Sequence, residues 1–195
     1  MIWWSRQRGV LGLLPGALFA FVLSIALTSD LVLVLPAFLG SRPIPTALSN
    51  FFCLVPSVAL VACLERRLPG MERSAVRRLD LMDIALVTGF ALLASAVAAG
   101  MSPLDSDAMW TAARNNLLFC GLTLGSWPLL KHRAALVPVF WMILAMFTGG
   151  RQLDDPYPWV IVTEKAAVAH AATGAALVFL TGFVLLTCLV PRTDR

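Results

Sequence analysis

The sequence predicts an all-α integral membrane protein, a bundle of six transmembrane helices in a single membrane domain that covers residues 1–195. Hydrophobic residues make up 59% of the chain and charged residues only 13%, whereas a soluble domain carries about 25% charged residues. A helix needs about 20 apolar residues to cross a bilayer core. The alternating ten-residue pattern of a membrane β-barrel is absent, so the spanning segments are expected to be helices.

The first apolar run extends over residues 10–39, which as one helix would reach about 45 Å and is too long for a straight span. We divide it at Pro15. Residues 1–14 are predicted to form a short interfacial helix in which Arg6 and Arg8 contact anionic lipid. A cleavable signal peptide fits less well, because no small-residue cleavage site follows a short apolar core.

The apolar runs that follow are bounded by charges, prolines or glycines, which places the helix ends. Together with the first, the predicted spans cover residues 17–39, 44–64, 84–101, 110–130, 134–149 and 166–190.

The cationic residues fall unevenly on the two faces of this topology. Eleven of the fifteen lie in the termini and connections of one face, and four lie on the other, namely Arg42, Arg114, Arg151 and Lys165. The face richer in Lys and Arg stays in the cytoplasm. Both termini are therefore predicted to be cytoplasmic, and the high usage of Ala, Leu, Arg and Val favours a bacterial inner membrane.

The connection between spans two and three is the most basic segment of the chain. From Met71 onward, apolar residues recur at helical spacing with arginines on the other side, which predicts a short amphipathic helix on the cytoplasmic surface before the third span begins. One interpretation is an anchor that binds anionic lipid. The other is a docking surface for a cytoplasmic partner, with the candidate residues Arg73, Arg77, Arg78, Leu79 and Met82.

Polar residues inside the spans predict a second feature, a polar cluster in the outer half of the bundle. Charges in hydrocarbon are costly and usually face protein or water. The candidates are Asp30, Arg114, Asn115 and His170, and Asp30 and Arg114 are expected to be neighbours because each needs a partner of opposite charge. A structural ion pair, an arginine at the headgroups and the lining of an outward-opening cavity remain alternatives.

Small residues predict close helix contacts. Gly121 and Gly125 form a G-x-x-x-G pair in the fourth span, and Ala167, Ala171 and Ala175 form a small face on the sixth. Contacts within the bundle are the favoured use, and a dimer face is the alternative.

No pattern predicts catalysis or metal binding. The chain lacks G-x-x-x-x-G-K-[ST], H-E-x-x-H and G-x-S-x-G. The two histidines fall on opposite sides of the predicted membrane, and the four cysteines lie within spans without a C-x-x-C pair. We therefore assign no catalytic residue, no metal, no cofactor and no nucleic-acid partner.

Six spans, cytoplasmic termini, an interfacial helix before the first span and a helical connection between spans two and three resemble the permease subunits of type-2 ATP-binding-cassette exporters. The resemblance implies a separate cytoplasmic ATPase subunit that contacts residues 68–82, and a homodimer or heterodimer in the bilayer. One departure is the outer segment RQLDDPYPWVIVTEK, which lacks an evident pair of short re-entrant helices. The alternatives are a non-transporting membrane scaffold or accessory protein, and, less favoured, an intramembrane enzyme.

Overall fold

The computed structural model describes residues 8–28, 31–35, 44–66, 79–103, 106–148, 150–152, 155–156 and 160–193. The chain is mostly helical, as predicted. Its α-helices are α1 (Leu13–Thr28), α2 (Ser49–Phe52), α3 (Leu54–Glu65), α4 (Leu79–Gly100), α5 (Ser106–Leu130), α6 (Leu136–Thr148) and α7 (Ala169–Thr193). Two 3₁₀ helices cover Lys131–Ala135 and Ile161–Thr163.

Two short antiparallel hairpins complete the described structure. In one, β1 (Val32–Leu35) pairs with β2 (Ile44–Ala47), and Val32 lies opposite Ala47. In the other, β3 (Gly150–Gln152) pairs with β4 (Asp155–Pro156). Both hairpins connect helices and add little to an otherwise all-α fold.

Two hydrophobic cores lie one after the other along the bundle. The first core includes Leu14, Leu60, Leu64, Val87, Leu124, Trp127, Ala134 and Leu186. The second core includes Phe21, Ile25, Cys53, Ala98, Met109, Ala112, Met142 and Ala175. The first core draws side chains from six helical segments, and the second from the same six and from the 3₁₀ helix Ile161–Thr163. The segments therefore pack side by side rather than in separate layers.

The order in which each segment enters the two cores gives its direction. α1, α4 and the segment formed by residues 131–148 pass from the first core to the second, whereas α2–α3, α5 and α7 pass from the second to the first. Successive segments therefore run in opposite directions. The bundle has two ends, which we name after their buried arginines: the Arg8 end beside the first core and the Arg114 end beside the second.

The number of membrane-spanning helices corrects the prediction of six. Among the described residues, three helical segments are long and apolar enough to cross a membrane: Leu81–Gly100, Asp107–Ala145 and Ala169–Leu189. The apolar helices Leu13–Thr28 and Ser49–Glu65 are shorter. The predicted spans 17–39 and 44–64 are too long, because part of each apolar run forms a strand, β1 in the first and β2 in the second, and does not continue the helix.

The hairpin β1–β2 is the main feature that the sequence interpretation missed. α1 ends at Thr28, where a span to residue 39 was predicted, and the second helical segment begins at Ser49 rather than at residue 44. The sequence of β1, VLVL, consists entirely of apolar residues, as a membrane-spanning helix would. A short apolar run does not distinguish a strand from a buried helix by periodicity.

The start of the first helix also differs from the prediction. The described residues 8–12 form turns, and α1 continues from Leu13 through Pro15, which lies in the first turn, where proline is tolerated. Gly9 adopts a φ of +67°, and its carbonyl accepts hydrogen bonds from the N–H groups that open α1. The prediction of an interfacial helix over residues 1–14 that ends at Pro15 is therefore wrong for residues 8–14. Residues 1–7 lie outside the described part of the chain.

The close contact between α5 and α7 depends on glycine. An ideal Cβ on Gly121 would lie 2.6 Å from the Cα of Phe179, and one on Gly125 would lie 3.2 Å from the Cα of Gly182. A Cβ on Gly182 would collide with the carbonyl oxygen of Gly121. The predicted G-x-x-x-G pair thus serves a contact inside the bundle.

Candidate functional site

Arg114 lies two turns into α5 and is almost completely buried, with 7% of its surface exposed. Its guanidinium donates to three backbone carbonyls: Nη2 to Ile161 O and Glu164 O, both at 2.8 Å, and Nη1 to Lys165 O at 3.0 Å. Its Nε lies 3.3 Å from Oδ1 of Asn115. All four acceptors are neutral groups.

Asn115 extends the same set of contacts to α2. Its Nδ2 donates to Val162 O and to Oδ1 of Asn50, both at 2.9 Å. The amide of Asn50 donates to the same Val162 carbonyl at 3.3 Å. Both asparagines are buried, so two side chains from different helices share one backbone acceptor.

The acceptors of these hydrogen bonds belong to the segment of residues 160–168, which joins a 3₁₀ helix to α7 through turns. Backbone of this kind leaves carbonyl oxygens that can accept further donors, and here Ile161 O and Lys165 O each already accept one backbone N–H. At membrane depth such backbone is tolerated only where it is buried in protein or lines water. Arg114, Asn115 and Asn50 supply the donors, and we name these three residues the carbonyl clamp.

Asn116 points to another side of α5. Its Nδ2 donates to Oγ of Ser95 at 2.8 Å and to Ala91 O at 3.3 Å, both on α4. Consecutive helical residues differ by about 100° in direction, so these neighbouring asparagines contact different helices.

Two cavities flank the carbonyl clamp. The first, of about 350 Å³, lies among α4, α5 and α7 and is lined by Ser95, Ala96, Ala99, Trp110, Ala113, Arg114, Leu117, Ala166, Ala172 and Ala175. The second, of about 190 Å³, is more polar and is lined by Thr46, Ala47, Asn50, Asp107, Ala108, Thr111, Thr163, Glu164, Lys165 and Ala166. The clamp therefore separates an apolar cavity from a charged one.

Of the other predicted members of the polar cluster, Asn115 contacts Arg114 and His170 does not. His170 is half exposed, and its Nε2 lies 3.5 Å from Oε1 of Glu164. Within the described part of the chain, it is linked to the clamp through Glu164 of the segment of residues 160–168. Asp30 lies outside the described residues, so its expected pairing with Arg114 stays a prediction.

A buried ion pair at the Arg8 end was not predicted. Arg8 and Asp83 are 2% and 1% exposed. Nε of Arg8 lies 3.0 Å from Oδ1 of Asp83, and Nη2 lies 2.6 Å from Oδ2, which is a bidentate arrangement. The expected contact of Arg8 with anionic lipid is therefore wrong, because the side chain is enclosed by protein.

The sequence interpretation placed Arg8 at the lipid interface and assigned no role to Asp83. They are separated by 75 positions, and one chain offers no signal for a pairing over that distance. What could have drawn attention to Asp83 is its position directly before Ile84, where an unpaired carboxylate would enter the apolar region.

A smaller polar contact lies at the same end. Nε1 of Trp127 donates to Oε1 of Glu65 at 3.1 Å, and Nζ of Lys131 lies 4.6 Å from the centroid of the indole ring. These contacts join the end of α3 to the end of α5.

The predicted docking residues fall largely outside the described structure, which omits residues 67–78 and with them Arg73, Arg77 and Arg78. Leu79 and Met82 belong to the first turn of α4. The prediction that these two residues belong to an amphipathic helix separate from the third span is wrong, because α4 continues from them without a break to Gly100.

Among the described residues, no group of three or more His, Cys, Asp or Glu side chains is arranged to hold a metal ion. The chemistry of the Arg114 region is therefore that of a buried cation with amide donors. Comparison of the chain with protein-family models, curated proteins and solved structures found no match.

Proposed function

We propose that the chain is the membrane-spanning subunit of an exporter that is driven by a separate ATP-hydrolysing subunit. The observation that supports this proposal is the Arg8–Asp83 pair at the Arg8 end. Asp83 lies five residues after the basic connection of residues 67–78, and Arg8 lies five residues before α1.

A bidentate, buried pair of opposite charges is costly to separate. A partner that pulls or pushes on residues 67–78 would therefore move the start of α1 and the start of α4 together. Such a coupling is what a transport subunit needs, because force from a cytoplasmic ATPase has to reach the helices.

The alternation of the helical segments gives further support. Successive segments run in opposite directions between the two ends, so the starts of α1 and α4 and the ends of α3 and α7 lie at the same end. With the Arg8 end in the cytoplasm, as the distribution of Lys and Arg indicates, a cytoplasmic subunit would meet all of these elements on one surface.

Affinity purification in mild detergent, with mass spectrometry of the bound proteins, tests the proposal. The variant carries Arg73→Gln, Arg77→Gln and Arg78→Gln, and the matched control carries Arg133→Gln and Arg192→Gln. We expect an ATPase to co-purify with the parent protein and with the control, and to be lost from the triple variant while insertion and gel-filtration profile stay normal.

Two other results would contradict this function. Absence of any ATPase from all three samples would overturn the exporter and favour the non-transporting scaffold. Loss of membrane insertion in the triple variant alone would show that the arginines anchor the connection to anionic lipid and do not dock a partner.

A further inference from the structure

The cavity among α4, α5 and α7 has one charged wall and otherwise small or apolar walls. Of the ten residues that line it, Arg114 alone is charged, and the other polar side chains are Ser95 and the indole of Trp110. Alanines form most of the remaining surface. A volume of about 350 Å³ lies at the lower end of the range for small-molecule sites.

Among the described residues, hydrogen bonds to neutral groups hold the charge of Arg114, and Glu164 acts on it through space without forming a salt bridge. The four hydrogen bonds of Arg114 reach three backbone carbonyls and one side-chain amide, and no carboxylate among the described residues lies within salt-bridge distance of it. A guanidinium has five N–H donors, so one N–H of Nη1 is left over from these contacts. Glu164 lines the second cavity and not this one.

A buried cation that is hydrogen-bonded only to neutral groups is stabilised further by an anion. The cavity is reached from the side of the bundle, because Trp110, Ala96 and Ala172 are exposed. Because α4, α5 and α7 belong to the segments long and apolar enough to cross a membrane, that side would face hydrocarbon in a bilayer. A ligand that enters there therefore has an apolar body and presents a negative group to Arg114.

We propose that this cavity binds a single acyl chain with an anionic headgroup, of which a long-chain carboxylate is the simplest case. The headgroup lies against Arg114 beside the segment of residues 160–168, and the chain lies along the alanines of α4 and α7. One chain suits the volume, whereas a two-chain lipid does not. The inference is independent of the exporter function.

Photo-crosslinking of the purified protein in phosphatidylcholine vesicles tests the site. The probe is a sixteen-carbon fatty acid with a diazirine in its chain, and the comparison probe is the corresponding uncharged fatty alcohol. We expect the fatty acid to label peptides of residues 95–117 and 166–175, and to do so at least about tenfold more than the alcohol, because a hydrogen-bonded charge is worth a factor of this order.

Three variants separate recognition of charge from the integrity of the fold. Arg114→Gln should reduce labelling by the fatty acid to the level of the alcohol. Ala99→Phe fills the cavity without touching the carbonyl clamp, and should abolish labelling by both probes. Gly89→Leu is the matched control, since it fills the apolar groove between α1 and α4, and it should leave labelling unchanged.

Competition identifies the source of the anionic group. Unlabelled palmitate should displace the probe, and phosphatidylglycerol at the same mole fraction should not. Displacement by phosphatidylglycerol alone would overturn the single-chain ligand. Equal labelling by acid and alcohol, or labelling that Ala99→Phe leaves intact, would overturn the site itself, and the latter variant decides the matter even if Arg114→Gln fails to fold.

Discussion

Replacing Asp83 by Asn removes the negative half of the buried pair and weakens the electrostatic stabilisation of the enclosed guanidinium of Arg8. Both side chains are at least 98% buried. Removing one partner of a buried ion pair costs about 3–5 kcal/mol. For a chain of this size, each kcal/mol lowers the midpoint of thermal unfolding by about 2–4 °C, so Asp83→Asn should lower it by roughly 6–20 °C.

The double substitution Arg8→Met with Asp83→Leu should be far milder than the sum of the two single changes. It removes the desolvation cost of both charges and keeps apolar volume in the first core, an exchange that is often neutral or stabilising. Arg133→Gln is the control, because Arg133 is exposed in the 3₁₀ helix at the same end and should change stability by less than about 0.5 kcal/mol.

The measurement is the temperature at which the detergent-solubilised protein loses its monodisperse gel-filtration peak, with all variants compared side by side. Additive effects of the two single substitutions would refute the reasoning, because they would mean that Arg8 and Asp83 do not depend on each other. A melting temperature of Asp83→Asn equal to that of Arg133→Gln would refute it as well.

Two further predictions concern packing and orientation. Gly182→Ala should lower stability by about 1–3 kcal/mol in the same assay, because the added methyl group collides with the carbonyl of Gly121. In the control Gly89→Ala, the added methyl group meets no atom within 4 Å, and the change should be tolerated. Equal melting temperatures of the two variants would contradict the contact. In a background where the exposed Cys188 is replaced by Ala, a cysteine at Ser74 should react with an impermeant maleimide only after the membrane is permeabilised. A cysteine at Ser106 should react in intact cells. Labelling of position 74 from outside would reverse the orientation.

The helices were largely predictable, and their ends were not. Alternation of apolar runs with charges and prolines indicates where α4, α5 and α7 lie, because long apolar runs in lipid have few alternatives to helix. The strands of residues 32–47 escaped prediction because β1 is as apolar as the helix before it. Hairpin pairing depends on two segments at once, and periodicity within one run does not report it.

The candidate site was predictable in its polar residues and not in its partners. Arg114 and Asn115 are conspicuous because they interrupt an apolar run. Their acceptors are backbone carbonyl groups of residues 161–165. Because every residue carries a backbone carbonyl, the sequence does not indicate which ones accept these hydrogen bonds. The Arg8–Asp83 pair was hidden for a related reason, since counting charges at span ends records their number and not their contacts.

Three consecutive residues of α5 bind three different parts of the chain. Arg114 holds the segment of residues 160–168, Asn115 adds Asn50 of α2, and Asn116 holds Ser95 of α4. Below them, Gly121 brings α5 against the backbone of α7. A tilt or rotation of α5 would therefore break hydrogen bonds to all three parts at the Arg114 end. The wall that Arg114 contributes to the apolar cavity belongs to the same group of contacts, so a ligand bound there would favour the position of α5 to which it binds more tightly.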